Sequence, residues 1–297
     1  MSNKPRKMTL EKKHNLTGWA FLAPATFLIA VFSFWPMIKA LVLSFQTGKG
    51  RNMQMAGFTN YIRMFQDDVF IQSIKNTFFY FILQVPIMLA VALVLACILN
   101  KKDLRFKGFF RTMIFLPCTT SLVAYSIIFR SLFANDGLVN YVLVNIGILD
   151  KPYNFLTQPF AAKMVILLGL LWRWTGYNMV FFLSGLQNIE YSVYEAAKID
   201  GASAIQTFFK ITVPLLKPTI LLTAIMSTNG TLQLFDESIN LTDGGPANAS
   251  ISMSHYIYNL CFKYVPNFGY AAAMSFFILL LVAVLAFIQM RVGDKRD

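Results

Sequence analysis

The chain has 297 residues, is 56% hydrophobic with 29 Phe, and carries only 13% charged residues for a net charge of +12. Together with a mean hydropathy of +0.55, this excludes an ordinary soluble domain and places the chain in a lipid bilayer. The aromatic residues lie in apolar runs rather than beside basic patches, so the positive charge does not describe a nucleic-acid surface.

A basic tail, 1–18, holds Lys4, Arg6, Lys7, Lys12 and Lys13 and leads into an apolar run near 19–43. That run is too long for a cleaved signal and five more follow, so it reads as a retained first helix. The others lie near 74–99, 110–133, 164–186, 215–235 and 268–290. About 20 helical residues cross roughly 30 Å of hydrocarbon, and none of these runs alternates as a barrel strand would. A backbone in lipid must satisfy its own hydrogen bonds, so the expected fold is all-α and polytopic, one unit over 19–290 with about six transmembrane helices.

Lys101, Lys102, Arg105, Lys107 and Arg111 follow the second run, and Lys198, Lys210 and Lys217 follow the fourth. Arg291, Lys295 and Arg296 lie in the tail 291–297. With the N-tail these make up most of the 26 Lys and Arg, so the positive-inside rule puts both termini in the cytoplasm. A basic face against anionic membrane lipid accounts for the net charge. The opposite segments, about 45–73, 134–163 and 236–267, contain turn signals such as Asp136-Gly137 and Gly244-Gly245-Pro246 and have room for short interfacial helices.

The cytoplasmic loop 187–214 mixes charge with helical pattern. Ser192 and Glu195 have the spacing of a capping box, and Ser203 with Gln206 repeats it. Gly201 between them suits a helix end at positive φ, and Pro214 ends the second helix or starts the next.

Within the runs, Arg173 lies between Trp172 and Trp174, where a buried charge costs at least about 2.5 kcal/mol on insertion scales. It reads either as a donor to the hydroxyls of a bound solute or as a structural partner for a carboxylate, such as Asp236, or for a backbone carbonyl. Asn229, Thr231 and Gln233 read equally as a polar path or as interhelical hydrogen bonds, with Gly230 between them as a packing residue.

No reaction chemistry is visible. Cys97, Cys118 and Cys261 have no metal-ligand spacing and read as apolar fillers; His14 and His255 read as solvated. The "GKG" at 48–50 lacks the rest of a phosphate-binding loop, and no nucleophile-elbow or metalloprotease pattern occurs, so neither a cofactor nor a metal is called for. A secondary transporter or channel is the alternative; it would need charged relay residues within the spans, and few are present.

One segment carries a specific resemblance. "EAAKIDGASAIQTFFKITVP", with Glu195-Ala196-Ala197, Asp200, Gly201, Ile211 and Pro214 in register, resembles the EAA loop of binding-protein-dependent ABC importer permeases. "IFLP" at 114–117, "WRWTGYNMVFFLSGLQNI" at 172–189, "LTDGGPANAS" and "YIYNLCFKYVPNFGYAAAMS" are similar to the carbohydrate-importing, maltose-type subfamily. Val213 stands where the usual pattern has Leu, and Glu190 where sugar-type members have Pro. The resemblance implies a multi-pass inner-membrane permease that performs no catalysis. It also implies ABC ATPase subunits docked on a helix-turn-helix at 187–214, a second and distinct permease subunit, and an extracytoplasmic solute-binding protein. Glu195 would then carry two jobs, capping and docking.

Overall fold

The computed structural model describes residues 9–49, 52–101 and 103–293. Lys4, Arg6, Lys7, Lys102, Lys295 and Arg296, counted above toward orientation, lie outside them. Helix α1, Leu10–Ser44, is continuous through a π-helical turn at Ala30–Phe34 and is exposed along nearly its whole length. A hairpin of β1, Gln46–Lys49, and β2, Asn52–Met55, pairs antiparallel with Gln46 opposite Met55. Then come α2, Thr59–Met64, and α3, Asp68–Asn100.

The stretch expected as one helix over 110–133 is two: α4, Lys107–Thr119, and α5, Leu122–Leu132, bent by 98°. Pro117 withholds a backbone N–H, and the hydroxyls of Thr119 and Thr120 donate to the carbonyls of Leu116 and Pro117. Such bonds offer the backbone a non-helical alternative, and Thr120 and Ser121 are extended, with ψ of 149° and 136°. After α6, Leu138–Asn145, and α7, Pro159–Gln187, comes α8, Tyr191–Ile199. The fifth run is bent too: α9, Ala204–Leu215, meets α10, Lys217–Leu232, at 70°, so the helix expected over 215–235 starts and stops inside those bounds. Short helices α11, Asp236–Thr242, and α12, Met253–Tyr258, precede α13, Phe268–Gly293. Among the described residues, four helices are long and apolar enough to cross a membrane, and up to six spans result if each bent pair is one.

Apolar packing forms three clusters. Ala92, Ala96, Met179 and Phe182 join α3 to α7. Tyr80, Tyr125, Phe129 and Ile166 join α3, α5 and α7. Phe70, Leu232, Ile251, Met253 and Tyr270 join the 236–260 segment to α3 and α13. Polar ties hold this last region. Asp67 caps α3, its Oδ1 accepting from the N–H groups of Val69 and Phe70 at 3.0 and 3.2 Å, while Oδ2 accepts from the hydroxyls of Tyr256 and Tyr270 at 2.7 and 2.8 Å. Asn76 donates to the carbonyls of Asn248 and Ile251. One carboxylate and one amide thus align three helices with the loop between α11 and α12.

Candidate functional site

Two places concentrate the residues singled out from the sequence. The first is the α8–α9 projection. Helix α8 begins one residue before Ser192, with Glu190 extended at the N-cap, and the Ser192 hydroxyl donates to Glu190 Oε2 at 3.3 Å. The expected Ser192–Glu195 capping box is therefore absent, because Ser192 has entered the helix and its side chain turns back to Glu190. Glu195 is exposed and makes no capping bond.

At the other end of α8 the sequence reading holds. Gly201 has φ +74°, its N–H donates to the Lys198 carbonyl at 3.2 Å, and the Ala202 N–H donates to the Ala197 carbonyl at 2.9 Å. That pair of bonds is a Schellman turn, which satisfies carbonyls at the helix end and needs a residue that accepts positive φ. The second capping box is complete: the Ser203 side chain accepts from the Gln206 N–H at 3.3 Å and the Gln206 side chain accepts from the Ser203 N–H at 2.8 Å. Pro214 lies near the end of α9, just past a π-helical turn at Phe208–Thr212. Ala197 is buried and Ile211 half-buried, whereas Ala196 and Asp200 are exposed and Ile199 and Ile205 are 86% and 71% exposed. A compact, double-capped unit thus presents apolar and acidic side chains outward.

The second place is a cavity of about 300 Å³ among α3, α7, α10 and α11. It brings together Trp174, Thr231, Gln233 and Asp236 from the expected path. Asn229 lies instead on a neighbouring cavity of about 590 Å³ between α10 and α13, and Gln233 lines both. The Gln233 amide donates to Asn229 Oδ1. Gly230 faces open space, with nothing within 4 Å of where a Cβ would be, so within this chain it is a cavity residue and not a packing one.

Arg173 does not reach the cavity. It is buried, and its guanidinium donates to the carbonyl of Thr120 at 2.9 Å and to that of Cys118 at 3.5 Å, lying 5.3 Å from the Tyr125 ring. These are carbonyls at the end of α4, so Arg173 stabilises the break between α4 and α5 as a cation at a helix C-terminus. It forms no ion pair with Asp236 among the described residues. Trp172 is 44% exposed and stacks on Tyr125 with centroids 6.1 Å apart.

Sequence reasoning missed Gln84, Asn178 and Glu237, which also line the cavity. Gln84 Oε1 accepts from the Thr231 hydroxyl at 2.7 Å, and Asn178 Oδ1 accepts from Ser227 at 3.3 Å. Gln84 and Asn178 were legible as amides inside apolar runs, where polar groups need partners. Glu237, just past α10, is 4% exposed. Burial pushes its carboxyl up and Asp236 adds to this, while backbone hydrogen bonding and the charge of Arg173 act the other way.

His255 also departs from expectation, being fully buried. Its Nδ1 lies 2.9 Å from Ser238 Oγ and its Nε2 3.6 Å from Asp243, which pairs with Lys263 at 2.9 Å. Burial lowers the pKa of this ring, with Asp243 opposing and Lys263 reinforcing. Below about pH 6.5 the unfolded chain takes up a proton that the folded chain resists, so stability rises with pH through this window. Thermal unfolding measured from about pH 5 to 7.5 should show that rise, and His255→Gln should flatten it. An equal slope in the variant would assign the dependence to another group.

Residues 71–296 match the family model described as binding-protein-dependent transport system inner membrane component. The lactose transport system permease protein LacF of Rhizobium radiobacter is 51% identical over 292 residues, 98% of each chain. The multiple sugar-binding transport system permease protein MsmF of Streptococcus mutans is 32% identical, covering 97% of this chain and 99% of its own. A solved bacterial alginate ABC transporter, in complex with alginate pentasaccharide-bound periplasmic protein, has a chain that superposes with a TM-score of 0.85 at 25% identity, covering 98% of both. This chain belongs to the family of binding-protein-dependent transport system inner membrane components and is a multi-pass permease of the cytoplasmic membrane.

Proposed function

We propose that this permease carries a sugar or oligosaccharide delivered by an extracytoplasmic solute-binding protein, driven by ATP hydrolysis in separate ABC ATPase subunits. The observation that carries the coupling is the α8–α9 unit, whose Schellman turn at Gly201 and capping box at Ser203 make it stiff while Glu195, Ile199 and Ile205 stay exposed. A stiff projection transmits a displacement instead of absorbing it. In this reading the loop 187–214 faces the cytoplasm, Glu195 pairs with a basic residue of the ATPase, and Ile199 enters an apolar recess. A second, distinct permease subunit covers the open sides of the two cavities. ATP binding closes the ATPase pair, pulls the loop, and favours an outward-facing pathway past Thr231 and Gln233.

The names of the relatives support a saccharide, as do the cavity's groups. Trp174 and Tyr177 meet edge to face at 5.8 Å, offering rings to the apolar face of a sugar, and the Gln233 amide offers both a donor and an acceptor to hydroxyls.

Gly201→Asp is the cleaner test of the loop. A Cβ there meets nothing within 4 Å, and the αL conformation costs an ordinary L-residue about 1–2 kcal/mol, Asp being among the residues that best tolerate it. The variant should insert normally yet lose about tenfold or more of lactose uptake in proteoliposomes, equivalent to about 1.4 kcal/mol in coupling. Glu195→Ala should weaken copurification with a P-loop ATPase. Full uptake in the Gly201 variant would remove the loop from the coupling path.

A further inference from the structure

Two adjacent carboxylates, Asp236 and Glu237, line the 300 Å³ cavity, and among the described residues no Lys or Arg lines it. Glu237 is all but fully buried, and Trp174 borders the same space. The cation whose field reaches Glu237 is Arg173, and its guanidinium is engaged by the carbonyls of Thr120 and Cys118. The cavity is therefore an aromatic and amide-lined space with acidic groups and no lining cation to offset them.

A neutral saccharide suits such a space, because its hydroxyls donate to carboxylate oxygens and its ring lies on aromatic faces. An acidic saccharide brings a further negative charge. It must either bear the like-charge repulsion or force a proton onto one of the carboxyls, and both cost free energy. Repulsion of this kind is strong where water is scarce, since the effective dielectric is low.

We propose that Asp236 and Glu237 make the cavity a charge filter that admits neutral saccharides and turns acidic ones away. The filter rests on the reading that this cavity lies on the sugar path. The related fold of the alginate transporter handles an acidic polysaccharide, so the permease fold itself does not dictate substrate charge. The residues just past α10 do so here.

The test is equilibrium binding of radiolabelled lactose and radiolabelled digalacturonate to the purified complete transporter without its binding protein, whose own selectivity would otherwise enter. The wild type should prefer lactose by about tenfold or more, and D236N/E237Q should reduce that ratio to within about threefold. Should the double variant fail to assemble, E237Q alone, which keeps the side-chain shape, should lower the ratio about threefold. An unchanged ratio overturns the filter. Gly230→Trp, which places a bulky ring in open space beside the cavity, examines the underlying reading. Lactose binding retained in that variant removes the cavity from the path, and lactose binding lost there with the ratio unchanged in E237Q overturns the filter alone. Absence of lactose binding to the wild type overturns both.

Discussion

Gly176→Val is expected to prevent correct assembly of the helix bundle. A Cβ at position 176 would overlap the carbonyl oxygen of Ile114, lie 2.7 Å from its carbonyl carbon and 3.0 Å from Phe115 Cα. All three are backbone atoms of α4, so no rotamer change relieves the clash. Overpacking costs about 1–3 kcal/mol where side chains can shift, and the cost here should reach or exceed the top of that range because α4 must move away from α7. Thermal unfolding of the purified transporter in nanodiscs measures it. Gly230→Ala serves as the contrast, since nothing lies within 4 Å of its added methyl. Replacing Gly by Ala in a helix gains about 0.8–1 kcal/mol in propensity, so Gly230→Ala should be as stable as the parent or more so. Equal unfolding temperatures for Gly176→Val and the parent would refute the close approach of α4 and α7.

Arg173→Leu is expected to loosen the same region by a different route. The substitution removes the donors to the Thr120 and Cys118 carbonyls and the guanidinium beside the Tyr125 and Trp174 rings, 5.3 and 5.5 Å away. Hydrogen bonds to a charged group contribute about 1.5–3 kcal/mol, and a buried carbonyl left unmatched costs about 1–3. Arg173→Lys should recover only part, since an ammonium lacks the planar fork that spans two carbonyls. Cys118 offers a local reporter. In a protein carrying Cys97→Ser and Cys261→Ser, maleimide should modify Cys118 faster once Arg173 is Leu, because the end of α4 opens. Transport should fall as well, since α5 helps to wall the cavity through Leu122. Unchanged Cys118 reactivity would show that the bend holds without Arg173.

Several features were legible because they depend on neighbours in sequence. Gly201 announces a helix end because few other residues adopt φ of +74° without cost, and the Ser203–Gln206 box closes over three residues. The Ser192–Glu195 box has the same spacing and does not form. Glu190 takes the N-cap two residues earlier, and spacing alone does not set the point where a helix starts. The bend at Thr120–Ser121 was hidden by hydropathy averaged over a window, which stays apolar across the pair of helices, although the Pro117-to-Ser121 stretch held the signal.

From the sequence alone came the membrane setting, the expectation of a six-run all-α chain, the proposal that the loop 187–214 couples to an ATPase, and the family resemblance, since these rest on hydropathy summed over windows, on local backbone preference and on motif spacing. Tertiary structure alone decided that Arg173 serves carbonyls of α4 instead of Asp236, that His255 is buried, that Asn229 and Thr231 line different cavities, and that Glu237 shares one of them with Trp174. The physical reason is distance along the chain. Arg173 meets a carbonyl 53 residues away and Thr231 an amide 147 residues away, and partners so remote become neighbours only when helices pack.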